Sequence, residues 1–169
     1  MLRMGSAGIR LSGRFIVTCR GSTGERKWED YIDNLVVNEG LQYILDSAFL
    51  GSSQVTSFFI GLAGSTPSAA AANTLTTHAG FTEVSAYTGN RKAWTKVRSS
   101  QTLSNSASKA SFSIDENDTT CGGALVGTVS TGTAGKLICA GAFSGGDKTA
   151  DSGDTVEVQY DLAAADDGS

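Results

Sequence analysis

Few residues in this chain of 169 could do chemistry. Cys19, Cys121 and Cys139 are its only thiols and lie far apart, and His78 is its only imidazole. A cysteine nucleophile needs a base to draw off its proton. Structural zinc needs cysteines and histidines in closely spaced pairs. Neither pattern is present. An odd number of cysteines without a secretory segment reads as three reduced, partly buried thiols and not as a disulfide framework. His78 stands in a run of small residues before Gly80 and Phe81, where bonding to nearby backbone is the expected use. Two acidic clusters carry oxygen ligands: Asp115, Glu116, Asn117 and Asp118, and then Asp147, Asp151 and Asp154 around Ser152 and Gly153. Calcium takes six to eight oxygens from a fixed loop, and neither cluster has the D-x-[DN]-x-[DN]-G-x5-E spacing. Both are expected to be turns, in which Asp and Asn bond their own backbone. No phosphate loop of the form G-x-x-x-x-G-K-[ST] occurs, nor a G-x-G-x-x-G between a strand and a helix. The expectation is no catalytic residue, no cofactor, no metal and no enzyme.

What remains is recognition chemistry. In Arg91 to Arg98 (RKAWTKVR), a two-residue repeat puts Lys92, Trp94, Lys96 and Arg98 on one strand face, with Arg91, Ala93, Thr95 and Val97 on the other. Three cations around an indole could stack on and neutralise a nucleic-acid strand. The chain as a whole is acidic, with a formal charge of -4, so a protein partner is expected and nucleic acid is not. Charge is also distributed unevenly. Residues 1 to 28 hold Arg3, Arg10, Arg14, Arg20, Arg26 and Lys27 against Glu25 alone. From Ser144 onward, Asp147, Asp151, Asp154, Glu157, Asp161, Asp166 and Asp167 face only Lys148. A basic head and an acidic tail predict pairing between the ends or between copies.

These residues must be positioned by one domain, because the length suits a single core. Hydrophobic residues at 40%, charged residues at 18% and a mean hydropathy of -0.08 exclude a highly charged disordered chain and a membrane-embedded one. No window reaches the roughly 18 apolar residues of a spanning helix, and Met1 to Gly13 lacks the apolar segment of a signal peptide. Synthesis in a cytoplasm, with no membrane partner, is expected. Twenty-one glycines and the lone Pro67 favour strands and tight turns. Residues 1–13 read as a flexible basic arm, 14–162 as one domain and 163–169 as an acidic tail that frays. Arg14 to Arg20 and Lys27 to Val37 read as a hairpin. Further strands are expected in Val55 to Ala63, Phe81 to Tyr87, Arg91 to Arg98, Lys109 to Ile114, Cys121 to Val129, Leu137 to Phe143 and Thr155 to Leu162. The only 3.6-residue repeat, Leu41, Ile44, Leu45, Ala48 and Phe49, predicts a helix over 38–50, capped by Asn38 and closed by Gly51. Leu41, Leu45 and Phe49 are expected to face the sheet. The fold class is mainly β: a single β-sandwich or jelly-roll-like domain with one short amphipathic helix and an extended N-terminal arm.

Several segments, taken in order, carry a resemblance. They are Asn34 to Leu45 (NLVVNEGLQYIL), Ile60-Gly61-Leu62, His78 to Val84 followed by Tyr87, Ser104 to Ile114 (SNSASKASFSI), Gly122 to Leu125, Gly141 to Lys148 (GAFSGGDK), and Ser152 to Thr155. In this order the chain resembles a family of small structural proteins of tailed bacteriophages, over about Arg14 to Leu162. The resemblance implies a virion part with no catalytic residues to transfer. A small β-rich protein with a basic arm looks like a capsid decoration or cement protein, bound to the major capsid protein and to copies of itself on the outer head surface. The alternative is a tail, collar or fibre-attachment component. A carbohydrate-binding module would need more exposed aromatic residues. Arg3, Arg10, Arg14, Lys92, Trp94, Lys96 and Arg98 are the expected interface residues.

Overall fold

Phe15, Val17 and Cys19 recur every second residue, so a strand can bury all three on one face, and all three are fully buried. In the computed structural model, which describes residues 8–52, 54–65, 67–77 and 82–166, that strand is β1 (Ile9–Arg20). After it come β2 (Arg26–Asp33), β3 (Leu35–Val36), the helix α1 (Asn38–Phe49) and β4 (Phe59–Ala63). The middle of the chain holds β5 (Lys92–Ala93), β6 (Val97–Ser99), β7 (Thr102–Ser104), β8 (Ala110–Ser113), β9 (Thr119–Cys121) and β10 (Gly123–Gly127). The chain then forms β11 (Leu137–Ala142), β12 (Lys148–Ala150) and β13 (Thr155–Asp166). One sheet runs β2-β1-β13-β7-β6, with β8 also paired to β13. A second runs β3-β11-β10-β4-β5, and β12 pairs with β9.

Phe15, Val17, Ile32, Val156, Val158 and Tyr160 of the first sheet join Ile60, Leu62, Val126 and Cys139 of the second in one buried cluster. The domain is therefore mainly β and sandwich-like, as the strand spacing predicts. A smaller cluster joins Ala63, Leu125, Leu137 and Ala140 of the second sheet to Val37 and Leu75 outside it. With both faces covered, β10 is buried along its whole length, and its sequence is apolar throughout where a half-exposed strand would alternate. Among the described residues no helix is long and apolar enough to cross a membrane.

The chain ends correct the expected boundaries. Ile9 to Gly13, read as arm, belong to β1, and Ala163 to Asp166, read as fraying tail, belong to β13. The two strands pair antiparallel without a break from Ile9 opposite Asp166 to Arg20 opposite Thr155. Small and basic residues made one segment look unstructured, alanines and acids the other. Each supplies the ladder partner that the other's own pattern cannot reveal. Residues 1–7 and 167–169 of these two segments lie outside the described residues, as do Phe81 and His78. The rest of the expected strand from Phe81 to Tyr87 forms two isolated bridges, Glu83 with Ala63 and Tyr87 with Ile114. Arg91 to Arg98 is not one strand either, because β5 joins the second sheet and β6 the first.

Asp30, 5% exposed, ties the hairpin to the loop after β11. Its carboxylate accepts hydrogen bonds from the Ser144 hydroxyl at 2.8 Å and the Tyr31 N–H at 2.7 Å. It also accepts from the Gly145 N–H at 3.1 Å, with Lys148 Nζ at 3.3 Å. Burial favours the neutral acid, but these donors outweigh it and hold Asp30 below its ordinary value. A carboxyl with a depressed folded pKa contributes stability that is present above its unfolded value and lost as pH falls through the folded one. The domain is therefore expected to weaken below about pH 4. Asp30→Asn is expected to flatten that dependence and to lower stability at pH 7 by about 1–3 kcal/mol. Thermal melts between pH 2 and 7 check this, and an Asp30→Asn profile parallel to the parent's would rule it out.

Candidate functional site

Because side chains on a strand alternate between faces, Arg10, Arg14 and Arg20 share the outer face of β1, and all three are exposed. Arg14 Nε lies 2.9 Å from Asp33 Oδ1, and its guanidinium sits 5.6 Å from the centre of the Tyr31 ring. Arg20 Nε is 3.1 Å from Glu157 Oε2. Lys27 Nζ is 2.8 Å from Asp151 and 2.6 Å from Asp154, and hydrogen bonds to these two carboxylates raise the pKa of Lys27. Arg20 and Lys27 thus pair basic head with acidic tail within one chain, whereas Arg14 and Arg26 pair with Asp33 and Glu29 of β2. Arg10 stands opposite Ala165 near the end of the ladder. Arg3 lies outside the described residues.

The Arg91 to Arg98 stretch does not form the cationic aromatic face expected of it. The chain crosses between sheets here, and that crossing turns Trp94 inward to 4% exposure. Its indole N–H donates to the Tyr160 carbonyl at 3.1 Å, and its ring lies 5.0 Å from that of Tyr160. Arg91, expected on the opposite face, is also buried. It pairs with Glu83 at 2.5 Å and donates to the Val129 and Gly132 carbonyls, beside a shallow depression of about 330 Å³. Lys92 Nζ donates to the Thr88 carbonyl and sits 5.3 Å from the Tyr87 ring centre. Lys96 Nζ lies 4.7 Å from the centre of the Phe58 ring, and burial lowers its pKa. Arg98 is exposed and donates to the Ser100 carbonyl.

Among the described residues, the thiols are buried and the two acidic turns bond to one another. Burial pushes the thiols of Cys19, Cys121 and Cys139 up to about 12. The two acidic turns lie side by side: the Asp118 N–H donates to Asp151, and the Ser152 N–H to Asn117. Among the described residues no three His, Cys, Asp or Glu side chains come together to hold a metal.

The helix carries the largest departure from expectation. It spans Asn38–Phe49, as its periodicity predicts, but rests on β11 by the opposite face. Gly40 is its only buried residue, and a Cβ there would come within 2.3 Å of the Ile138 carbonyl oxygen. Glu39 reaches inward as well, accepting from the Leu75 N–H at 3.0 Å and the Leu137 N–H at 2.7 Å. Tyr43 accepts from the Val55 N–H and packs edge-on against Phe58. The N-cap is Val37 and not Asn38, with no side-chain cap bond. Gly51 closes the helix at φ +68. The apolar stripe consequently faces outward: Leu41 is 40% exposed, Leu45 56%, Phe49 76% and Leu50 76%. A glycine amid the first-turn residues was the sequence sign of this seating, since a bare Cα permits backbone-to-backbone contact that a leucine face does not.

No protein-family model and no curated protein matches this chain.

Proposed function

We propose that the protein is a bacteriophage virion structural protein, a capsid decoration (cement) protein that binds major capsid subunits and other copies of itself on the outer head surface. The observation that supports the reading is where the resembling segments fall. Asn34 to Leu45 covers β3 and most of α1, Ile60-Gly61-Leu62 is the centre of β4, Gly122 to Leu125 leads into β10, and Gly141 to Lys148 runs from the end of β11 to the start of β12. These four lie on or beside the second sheet and the helix laid over it, whereas Ser104 to Ile114 and Ser152 to Thr155 fall on β7, β8 and the turn into β13 of the first sheet. A lattice protein meets its neighbours through repeated symmetric contacts. A domain with exposed Arg10 and Arg98 and a helix that turns leucines outward offers such contacts. A sugar-binding face fits less well, because Trp94 and Tyr87 are core residues.

Copy number per purified particle, measured by quantitative mass spectrometry, is the test. Copies on the order of hundreds are expected for a shell component. A count of about six or twelve, set by the symmetry of a tail or collar, would replace the decoration reading with that of a tail component. Absence from particles would overturn both. In a second arm, purified protein is added to particles that lack it, and occupancy is followed at low and high salt. Exposed charges are screened beyond about 8 Å at 0.15 M, so binding through Arg10 and Arg98 is expected to weaken with salt. Binding through an apolar face is not.

A further inference from the structure

Among the described residues, Leu41, Leu45, Phe49 and Leu50 form a stripe of exposed apolar side chains on one element. All four belong to α1 or its C-terminal cap, and together they expose on the order of 500 Å², within the upper range of what a monomer leaves bare. We propose that this face is a homodimer contact, in which α1 of one chain packs antiparallel against α1 of a second. The contact is read from the helix and specifies the self-contact that the proposed function includes, while its test does not depend on the virion assignment.

Three observations select a second copy as the occupant. First, the stripe is self-complementary. Leu41, Leu45 and Phe49 are spaced by four residues on either side of Leu45, so a twofold axis through Leu45 sets the half-covered Leu41 of one chain against the more exposed Phe49 of the other. An i, i+4, i+8 row is also the ridge that packs into the same ridge of a partner helix, at a crossing angle near -50°. Second, the area is of the right size. Two such faces would remove about 1,000 Å² from water, the threshold of a specific though weak interface. Third, charge agrees with an antiparallel arrangement. The last turn of α1 has no basic residue to offset its carbonyl end. Antiparallel packing sets the negative carbonyl end of each helix beside the positive N-terminal end of its partner.

Sedimentation velocity on the purified full chain tests the proposal, with Leu45→Asp as the probe. The parent is expected to pass from monomer to dimer with a midpoint between about 1 and 100 µM. Leu45→Asp places a carboxylate on the axis and is expected to weaken association by about 30-fold or more. Because Leu45 is more than half exposed, the variant's melting temperature at 1 µM should stay within about 2 °C of the parent's. Leu45→Cys is expected to form a disulfide-linked dimer on mild oxidation, whereas the parent, whose cysteines are all buried, forms none. A parent that stays monomeric at several hundred micromolar would overturn the proposal. So would a Leu45→Asp protein that dimerises as well as the parent. If the parent is monomeric but Leu45→Asp loses occupancy on particles, the face belongs to a shell protein, and the dimer is refuted while the virion reading stands. A Leu45→Asp protein that unfolds would show that the stripe faces the core after all.

Discussion

Trp94→Ala is expected to lower the stability of the domain by about 3–5 kcal/mol, the usual cost of truncating a buried aromatic side chain. The indole is 4% exposed and lies between Tyr160 at 5.0 Å and Phe58 at 6.2 Å. Its removal opens a cavity where the chain crosses between sheets, and the Tyr160 carbonyl loses its donor. Lys96, 5.3 Å from the indole centroid, loses part of its aromatic surround. Urea denaturation of parent and variant measures the difference. Trp94→Phe, which keeps most of the ring but not the N–H, is expected to lose a smaller part, about 1–2 kcal/mol. A Trp94→Ala protein within 0.5 kcal/mol of its parent would return Trp94 to the surface role that its cationic neighbours suggest.

Asn105→Ala is expected to cost about 2–4 kcal/mol, because it strands buried backbone groups that have no other partner at hand. The free edge of β13 is shared by β8, opposite residues 155 to 158, and β7, opposite 161 to 163. Between them the ladder has a gap, and Asn105, 1% exposed, fills it. Its Oδ1 accepts from the Tyr160 N–H at 2.6 Å, and its Nδ2 donates to the Val158 carbonyl at 3.1 Å. One side-chain amide thus stands in for a missing strand residue, while Trp94 satisfies the Tyr160 carbonyl. Asn105→Asp keeps the acceptor but buries a charge and loses the donor, so it should be no better than alanine. Equilibrium unfolding together with amide exchange at Tyr160 checks the assignment. Unchanged protection of that amide in Asn105→Ala would disprove it.

Both sites show why parts of the molecule could not be read from the chain. Asn105 sits in a serine-rich stretch that looks like any turn, and its value comes from the end of β7 stopping short of β8. Trp94 sits among four cations, which in isolation is the composition of an exposed face. Its burial depends on β5 and β6 belonging to different sheets. Gly13, read as the last residue of an arm, lies close against the corner at Asn34, where the chain leaves the first sheet for the second. A Cβ on Gly13 would meet Asn34 Oδ1 and the Tyr160 hydroxyl within 2.3 Å.

The amino-acid sequence by itself determined the element types. Period-two burial in Phe15, Val17 and Cys19 and again in Val156, Val158 and Tyr160 requires half-buried strands. The one 3.6-residue repeat predicts a helix over 38–50, and the imbalance of charge between the ends favours opposite partners for them. These are local or additive properties, carried by each segment wherever it lies. Only the tertiary structure decided which way each element faces and what covers it. Leucine spacing specifies that one side of α1 is apolar but not that this side turns inward. The seat on β11 went to Gly40 and Glu39, because the bare glycine allowed close backbone contact and the carboxylate satisfied two N–H groups of neighbouring segments. The apolar side was left for solvent or a second chain.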